Sequence, residues 1–248
     1  MKLAFSKPTG TAEETRELFT TFSERGFDGL QLKPGQYSPC FGQPEKFIED
    51  WGAYPGSSQG MIAWCALDDA GRALLKKTIT LASQLGTEVI VYCHNAPHDG
   101  ITAELLRKYA HEISEIGKTA RENGVRLSLH NHYNLPVMLV EDTQVFFDAV
   151  QDNAVGLTVD TAHLVKSGVT DVAGYIRRFA GVIDNFHMKG IIKGEFAVLG
   201  TGEIDFAPVF AAVKEIGYDG WVSADEESGA GIREAMIGCR AVLGRLVS

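Results

Sequence analysis

Imidazole and carboxylate side chains recur at one kind of position in this sequence, at the ends of short apolar runs that predict β-strands. Five of the seven histidines lie there, and three acidic residues complete the set: His94, His130, His132, His163, His187, Asp160, Asp225 and Glu227. Connections after strands usually begin with Gly, Asn, Asp or Ser rather than with imidazoles. Mixed imidazole and carboxylate groups suit Mn²⁺, Zn²⁺, Co²⁺ or Fe²⁺ better than Ca²⁺, and they also suit acid–base chemistry. The sequence therefore predicts a metal or acid–base site.

The spacing within each run indicates which side chains share a face. His130 and His132 are two residues apart, so a strand directs both to the same side. Asp225 and Glu227 share a face by the same rule, and Glu226 lies on the other face unless a bulge turns it inward. Each of these residues alone could have a purely structural role, for example as a hydrogen-bonded histidine of the core. Their number and spacing favour a common site.

Alternation of short apolar runs with longer amphipathic stretches predicts the elements that position these residues. The eight predicted strands are Lys2–Lys7, Gly29–Lys33, Met61–Ala66, Glu88–Cys93, Arg126–His130, Gly156–Val159, Ile183–Met188 and Gly220–Asp225. The eight predicted helices are Ala12–Arg25, Glu45–Trp51, Gly71–Leu85, Ala103–Glu122, Thr143–Val150, Val172–Phe179, Phe206–Ile216 and Ile232–Leu246. Eight units in 248 residues give about 31 residues each, the length of one βα step. We therefore predict an α/β fold, a single-domain (β/α)₈ TIM barrel over residues 1–248, with its site at the carboxyl ends of the strands.

An open, doubly wound sheet is the alternative, and it would require a glycine-rich phosphate turn after an early strand. Gly200-Thr201-Gly202 has no strand before it, so we interpret it as a turn. The long connection 34–60 contains four aromatic residues that could line a substrate pocket or pack the loop onto the barrel: Tyr37, Phe41, Trp51 and Tyr54. Both interpretations stay open at this point.

Composition excludes several classes of protein. The net charge is −9, and no Lys/Arg cluster provides the cations that a nucleic acid backbone requires, so we expect no nucleic-acid partner. No run of about 18 apolar residues predicts a membrane span, and the first residues lack the apolar stretch of a signal peptide. The four cysteines form no CxxC pair and are expected to be reduced. We expect a cytoplasmic protein whose partner is a small-molecule sugar or polyol. A homo-oligomer is also possible.

Several segments together resemble the xylose isomerase-like sugar isomerase/epimerase superfamily of divalent-metal TIM barrels, whose wider group includes inosose dehydratases, ketose 3-epimerases and endonuclease IV. The resemblance covers nearly the whole chain and is strongest in GVRLSLHNH, VGLTVDTAHL, NFHMKG and LGTGEIDFAPVFAAVKEIGYDGWVSADEE. The family pattern Val-Asp-Thr-x-His is present at residues 159–163. The pattern G-x-G-x-x-D at 200–205, followed by G-Y-D-G at 217–220, is a second hallmark. Each motif alone is weak, but together they are specific.

The resemblance implies a ligand set for the metal. Asp160 and His187 match two family ligands, and His163 matches a residue that contacts substrate. The strand-five and strand-eight ligands are normally Glu, and here the matching positions are His130 and Asp225. The predicted ligands are therefore His130, Asp160, His187 and Asp225, with Mn, Zn, Co or Fe as the metal. The usual His-x-Lys-Asp of strand seven lacks its acid here, where Gly190 follows Lys189.

The predicted function is a divalent-metal-dependent isomerase or epimerase that removes the proton next to the carbonyl of a sugar or keto-polyol and stabilises the enediolate. Asp225 or Glu227 is the predicted base, and His132 or Lys189 the group that protonates a departing oxygen or the opposite carbon. His94, His163 and Lys189 are predicted to bind substrate. Replacement of one family Glu by histidine disfavours a symmetric two-carboxylate mechanism. Three alternatives are a dehydratase acting on an inosose-like keto-cyclitol, a carbohydrate-binding subunit with altered chemistry, and, disfavoured by charge, a DNA-repair nuclease like endonuclease IV.

Overall fold

Eight parallel strands close into a barrel in the computed structural model, which describes residues 1–247. The barrel strands are β1 (Lys2–Ser6), β2 (Gly29–Leu32), β3 (Gly60–Cys65), β4 (Val89–His94), β5 (Arg126–His130), β6 (Val155–Asp160), β7 (Ile183–Met188) and β10 (Trp221–Asp225). Each strand pairs with the strand before it and the one after it, and β10 closes the ring by pairing with both β1 and β7. The predicted TIM barrel is confirmed, and all eight predicted barrel strands are present within one or two residues at each end.

Ten α-helices are described in residues 1–247. They are α1 (Ala12–Thr21), α2 (Pro34–Tyr37), α3 (Pro44–Trp51), α4 (Asp69–Leu85), α5 (Ala103–Glu122), α6 (Val140–Phe147), α7 (Thr161–Lys166), α8 (Val172–Arg178), α9 (Phe206–Glu215) and α10 (Ile232–Val247). The long helices begin at side-chain caps, such as Thr102 before α5 and Asp68 before α4. Their apolar faces pack on the outside of the barrel, which fixes the direction of each strand end.

Five short elements were not predicted: the helices α2 and α7, a 3₁₀-helix (Ser38–Cys40), and the strands β8 (Gly190–Ile192) and β9 (Glu195–Ala197). Helix α7 begins directly after β6, because the Asp160 carboxylate accepts a hydrogen bond from the backbone N–H of His163 at 2.9 Å. Strands β8 and β9 form an antiparallel hairpin just after Lys189. Its turn contains Lys193 and Gly194, both with positive φ, as the type I′ turn of a two-residue hairpin requires.

The interior of the barrel has an apolar side and a polar side. Its apolar cluster is Ile62, Val89, Val91, Cys93 and Leu135, which come mainly from β3 and β4. The other inward positions are occupied by polar side chains, among them Gln31, Ser128, Thr158, Asn185 and Ser223, all buried. The apolar core that stabilises the fold therefore lies mainly between the barrel and the surrounding helices.

The aromatic residues of the connection 34–60 pack on the barrel. The Tyr37 hydroxyl donates to the Ile62 carbonyl at 2.9 Å, and the Trp51 ring stacks on Phe19 with 4.3 Å between the ring centroids. Gly200-Thr201-Gly202 lies in a turn, as interpreted from the sequence. All four cysteines are free and buried.

No helix in residues 1–247 combines the length and the apolar character needed to cross a membrane.

Candidate metal centre

Two imidazoles and two carboxylates meet at the carboxyl end of the barrel. His130, Asp160, His187 and Asp225 each offer one ligand atom, and these four atoms all lie within 4.8 Å of one another. His130, Asp160 and Asp225 are the last residues of β5, β6 and β10, and His187 is the penultimate residue of β7. These four strands are neighbours in the barrel. All four side chains are buried. The structure thus brings together the four residues that the resemblance implies as ligands.

Several polar atoms of this cluster have no hydrogen-bond partner within the protein. These are Oδ2 of Asp160, Nδ1 of His130 and Nδ1 of His187, all buried. The Asp160 Oδ2 atom lies 3.4 Å from Nε2 of His130, and Nδ1 of His187 lies 3.6 Å from Oδ2 of Asp225. Buried polar atoms are almost always partnered. Unpartnered atoms from two imidazoles and one carboxylate, beside the Asp225 carboxylate, therefore fit a divalent transition metal, for which two imidazoles and two carboxylates are an ordinary donor set.

Two lysines, the buried Lys189 and the half-buried Lys33, border the same carboxylates. The Lys189 ammonium lies 2.8 Å from Oδ2 of Asp225, 2.8 Å from Oε2 of Glu227 and 3.5 Å from Oδ2 of Asp160. The Lys33 ammonium lies 2.7 Å from Oδ1 of Asp225 and 2.9 Å from Oε1 of Glu227. Lys33 is predicted at the end of a strand, and no local sequence pattern indicates its role. Its carboxylate partners lie more than 190 residues away in sequence.

These contacts set the protonation states of the site. Burial alone would raise the pKa of Asp160 and of Asp225, but the Lys189 ammonium holds both pKa values well below the usual range. Burial alone would lower the pKa of Lys189, but Asp160, Asp225 and Glu227 raise it well above its usual value. The pKa of Lys33 is likewise raised, because the effect of the Asp225 and Glu227 carboxylates outweighs that of burial. The carboxylates are therefore charged, and the two lysines are ammonium ions.

Burial keeps three imidazoles of the site neutral. Burial lowers the pKa of His130 to about 4, and burial also lowers the pKa of His132 and His163. Three of the site's imidazole rings thus stand uncharged beside two ammonium groups. Groups whose surroundings push their pKa values apart are the usual basis for assigning acid and base roles.

Hydrogen bonds define the tautomers of two of these rings. His132 Nδ1 lies 2.7 Å from the Tyr133 carbonyl oxygen, which can only accept, so Nδ1 carries the proton and Nε2 has a free lone pair. His163 Nδ1 accepts from the Tyr133 backbone N–H at 3.2 Å, so its Nε2 carries the proton. The two rings are close, with centroids 3.7 Å apart. One neutral base and one neutral donor therefore lie side by side.

A small cavity of about 110 Å³ joins these groups. It is lined by Lys33, Pro34, Ile62, Trp64, Cys93, His130, His132, His163, His187, Lys189, Asp225 and Glu227. Pro34, Ile62, Trp64 and Cys93 form its apolar wall. The four aromatic residues of the connection 34–60 are not among the lining residues.

The structure does not bring His94 to this cavity. Cys93 faces the barrel interior, and His94, the next residue, faces outward, where its ring packs against Tyr109 of α5 with centroids 4.2 Å apart. Both ring nitrogens are buried without a partner, and burial lowers the pKa of His94 to about 4. Glu226 also faces away from the cluster: its carboxylate accepts from the Ser228 backbone N–H at 2.6 Å. The substrate contact predicted for His94 has no support from this placement.

The β8–β9 hairpin covers one side of the site. The Phe196 ring centroid lies 4.4 Å from the Lys189 ammonium and 4.9 Å from the His163 ring centroid. The Lys166 ammonium lies at the same rim, 5.0 Å from the centroid of the Phe196 ring and 5.3 Å from that of the Tyr133 ring. Phe196 was not predicted as a site residue, because the only local turn signal of its hairpin is Gly194 between two short apolar runs.

Comparison with known proteins places this chain among barrels of related architecture. A family profile described as xylose isomerase-like TIM barrel matches residues 19–241. Two curated relatives are inosose dehydratases. The protein from Clostridium perfringens is 27% identical over 51% of this chain and 49% of its own length. The protein from Lacticaseibacillus casei is 29% identical over 53% of this chain and 49% of its own. The chain spans about half the length of the curated relatives it matches.

Solved structures share the fold over nearly the whole chain. The zinc-bound IolI protein superposes with a TM-score of 0.80 at 19% identity, covering 100% of this chain and 98% of that one. The probable 3-DHS dehydratase AsbF from Bacillus anthracis gives 0.79 at 15% identity, with 98% and 99% covered. An L-ribulose 3-epimerase gives 0.78 at 21% identity, with 99% and 94% covered. At these identities the likeness shows a common barrel.

Proposed function

The chain belongs to the family of xylose isomerase-like TIM barrels, and from that premise we propose that it is a divalent-metal-dependent enzyme that removes the proton next to the carbonyl of a sugar or keto-polyol. The observation that carries the proposal is the buried two-imidazole, two-carboxylate cluster at the carboxyl end of the barrel, open to a cavity that also holds a neutral base. The curated relatives, which are named inosose dehydratases, and the zinc in the IolI structure support it.

His130, Asp160, His187 and Asp225 would hold the metal. A bound divalent ion would act as a Lewis acid that polarises the substrate carbonyl and acidifies the neighbouring C–H bond. Asp160 is fixed for this task by two strand-end contacts: its backbone N–H donates to the Asn131 side-chain oxygen at 2.7 Å, and its Oδ1 caps α7. Its Oδ2 is left free to face the cluster.

His132 is the residue that we assign as the base. Its Nε2 has a free lone pair, and its ring borders the cavity. Asp225 and Glu227, which the sequence suggested for this role, are each bound by both Lys33 and Lys189. Those ammonium groups lower the pKa of each carboxylate, which makes it a weaker base. The C–H proton goes to Nε2 of His132, and the electron pair moves onto the carbonyl oxygen.

Lys189 and His163 supply the donors. The Nε2–H of His163 and the Lys189 ammonium both border the cavity, so either can donate a hydrogen bond to a substrate oxygen that gains negative charge. The Lys189 ammonium is also the group that can pass a proton to a departing hydroxide, which then leaves as water. His132 faces the cavity as a base and Lys189 as an acid.

This asymmetry favours dehydration over epimerisation. A two-base epimerase places proton-transfer groups of similar kind on opposite faces of the substrate carbon, whereas the groups that border this cavity are of unlike kind, ammonium–carboxylate pairs and neutral imidazoles. Loss of a proton to His132 and of hydroxide with a proton from Lys189 is a balanced elimination. Return of the same proton by His132 to a neighbouring carbon would instead give isomerisation, which is the second candidate function.

Proton NMR in heavy water tests the proposal. The protein loaded with Mn²⁺ or Zn²⁺ is incubated with an inosose, and separately with ketohexoses, and the signals of the protons next to the carbonyl are followed. We expect their loss together with a dehydrated product; exchange or an epimer without dehydration would support isomerisation. Chelator-treated protein should be inactive. His132→Gln should slow the reaction at least about 10²-fold, whereas His111→Gln, at an exposed position on α5, should not. Metal-loaded protein that exchanges none of these protons would contradict the proposal.

A further inference from the structure

Beneath the metal cluster, a line of hydrogen-bonded polar side chains crosses the barrel interior from one end to the other. Its members come from β2, β5, β6 and β7: Gln31, Ser128, Thr158, Asp184, Asn185 and His187. All except Asp184 are buried, with no more than 1% of their surface exposed. The line begins at the candidate metal ligand His187 and ends near the opposite mouth of the barrel.

The upper half of the line is made of two amides. His187 Nε2 lies 2.8 Å from Oε1 of Gln31. The Gln31 amide nitrogen donates to Oδ1 of Asn185 at 2.9 Å. The Asn185 amide nitrogen in turn donates to Oγ1 of Thr158 at 3.2 Å. Each amide therefore accepts a hydrogen bond on the side nearer His187 and donates one on the side nearer Thr158.

The lower half ends on a charged pair. The Thr158 and Ser128 hydroxyl oxygens lie 2.7 Å apart. The Ser128 hydroxyl donates to Oδ1 of Asp184, and the Arg126 guanidinium donates to Oδ2 of the same carboxylate. Since the Ser128 proton is used on Asp184, its oxygen is free to accept the proton of Thr158.

The carboxylate at the end permits only one direction for the whole line. If every donor were reversed, Gln31 would donate to Nε2 of His187, and Ser128 would donate upward to Thr158. The Ser128 oxygen would then face the Asp184 oxygen with no proton between them. Because an ionised carboxylate only accepts, it requires donation toward itself at each step. The proton of His187 is thereby placed on Nε2, and Nδ1 is left with a lone pair that points to Asp160 and Asp225.

The strand geometry that positions Asp184 is itself unusual. The register of β7 against β6 shifts at this point, since Leu157 pairs with Ile183 and Thr158 with Asn185. Asp184 is the extra residue of this bulge, so both it and Asn185 reach interior groups. Gly156 provides the space: a Cβ atom there would lie 1.7 Å from Oδ2 of Asp184. Bulge and glycine together allow a carboxylate to enter the barrel.

We propose that Gln31 and Asp184 are positioning residues that fix the tautomer and orientation of His187 for metal binding, Gln31 by direct contact and Asp184 through the hydrogen-bonded line. This role rests on the proposed function in one respect only: the metal is the ligand that Nδ1 of His187 would bind. Ligand histidines usually donate their second N–H to an oxygen acceptor, and loss of such a partner typically weakens metal binding about 10- to 100-fold.

The tautomer is measured directly by long-range proton–nitrogen NMR of metal-free protein labelled with ¹⁵N-histidine. In the wild type, His187 should show a protonated Nε2 and an unprotonated Nδ1. Gln31→Leu removes the acceptor and should abolish this preference, whereas Gln31→Glu keeps an acceptor oxygen and should preserve it. Asp184→Asn, whose amide can donate to Ser128, should mix the two tautomers. Ser223→Ala is the matched control, because Ser223 is an equally buried interior hydroxyl without a partner.

Zn²⁺ affinity, measured by competition with a chelating dye, gives the second readout. Gln31→Leu should bind Zn²⁺ about 10- to 100-fold more weakly than the wild type, and Gln31→Glu and Ser223→Ala should not show this loss. A wild-type His187 protonated on Nδ1, or Gln31→Leu with an unchanged tautomer and unchanged Zn²⁺ affinity, would overturn the inference. A wild type that binds no metal would instead refute the proposed function, and the tautomer measurement would still decide the role of Gln31 and Asp184.

Discussion

At the scale of single residues, Lys189 has the position that most affects the candidate metal centre. Its ammonium contacts Asp225 and Asp160, the two carboxylates that would also bind the metal. In this chain the acidic residue that follows the lysine in the family pattern is replaced by Gly190. Lys189 therefore balances the charge of the carboxylates of the site itself, and a divalent cation would have to share these oxygens with it.

Removal of this ammonium should strengthen metal binding. Two like charges about 4 Å apart repel by about 4 kcal/mol at the effective dielectric constant of a protein surface, so we expect Lys189→Met to bind Zn²⁺ or Mn²⁺ at least about tenfold more tightly while losing activity. Titration with a competing chelator measures the affinity. Lys166→Met is the control, because Lys166 lies over the same Phe196 ring and forms no ion pair with residues 1–247. Equal or weaker binding by Lys189→Met would show that the ammonium does not compete with the metal.

At the scale of elements, the direction of each strand end decides which side chains reach the site. The β4 strand is apolar on both faces, as buried parallel strands are, so its sequence does not show which residues face inward. In the structure Val89, Val91 and Cys93 face the interior, and His94 packs under α5. The strand-end rule therefore identified the right end of the barrel for His94 but not the right side of the strand.

The burial of His94 predicts a loss of stability in acid. The pKa of His94 is lowered from 6.5 to about 4 by burial, so the folded state binds fewer protons than the unfolded state between these values. The resulting decrease in the free energy of unfolding is absent above pH 6.5 and grows as the pH falls, to about 3 kcal/mol at pH 4. Between pH 7 and pH 4.5, the free energy of unfolding should therefore fall by about 2 to 3 kcal/mol less in His94→Phe than in the wild type.

Urea unfolding at the two pH values measures this difference. His111→Phe, at an exposed position on α5, should behave like the wild type. If His94→Phe and the wild type lost the same stability on acidification, the buried imidazole would not be a source of the acid sensitivity.

The β8–β9 hairpin makes a further prediction at this scale. Phe196 contacts both Lys189 and His163, and a cation–π contact is worth about 0.5 to 2 kcal/mol. We expect Phe196→Ala to lower kcat/KM about 3- to 30-fold with unchanged metal content, because two donors lose their packing. Ile192→Ala, at an exposed position on the same hairpin, is the control. Steady-state kinetics that change equally in both variants would indicate that the hairpin acts only as a whole.

At the scale of the whole molecule, the sequence predicts the barrel well because it repeats one local pattern eight times. Polar strand ends then locate the candidate site, since the carboxyl ends of all eight strands meet at one mouth. Lys33 and Gln31 could not be assigned in this way. Their partners Asp225 and His187 are more than 150 residues distant, and only closure of the barrel brings β2 opposite β7 and β10. Long-range pairs of this kind leave no local signal.

The metal content of the purified protein shows whether His130, Asp160, His187 and Asp225 form a metal centre. Elemental analysis is made on the wild type and on Asp160→Ala with His187→Ala, each purified without added metal and again after dialysis against Mn²⁺ or Zn²⁺. The Ser223→Ala variant serves as the control for a change inside the barrel. We expect close to one Mn, Zn, Co or Fe per chain in the wild type and the control, and a loss of this metal in the double variant. A wild type that stays free of metal after dialysis, or a double variant that retains the same content, would contradict the metal centre described here.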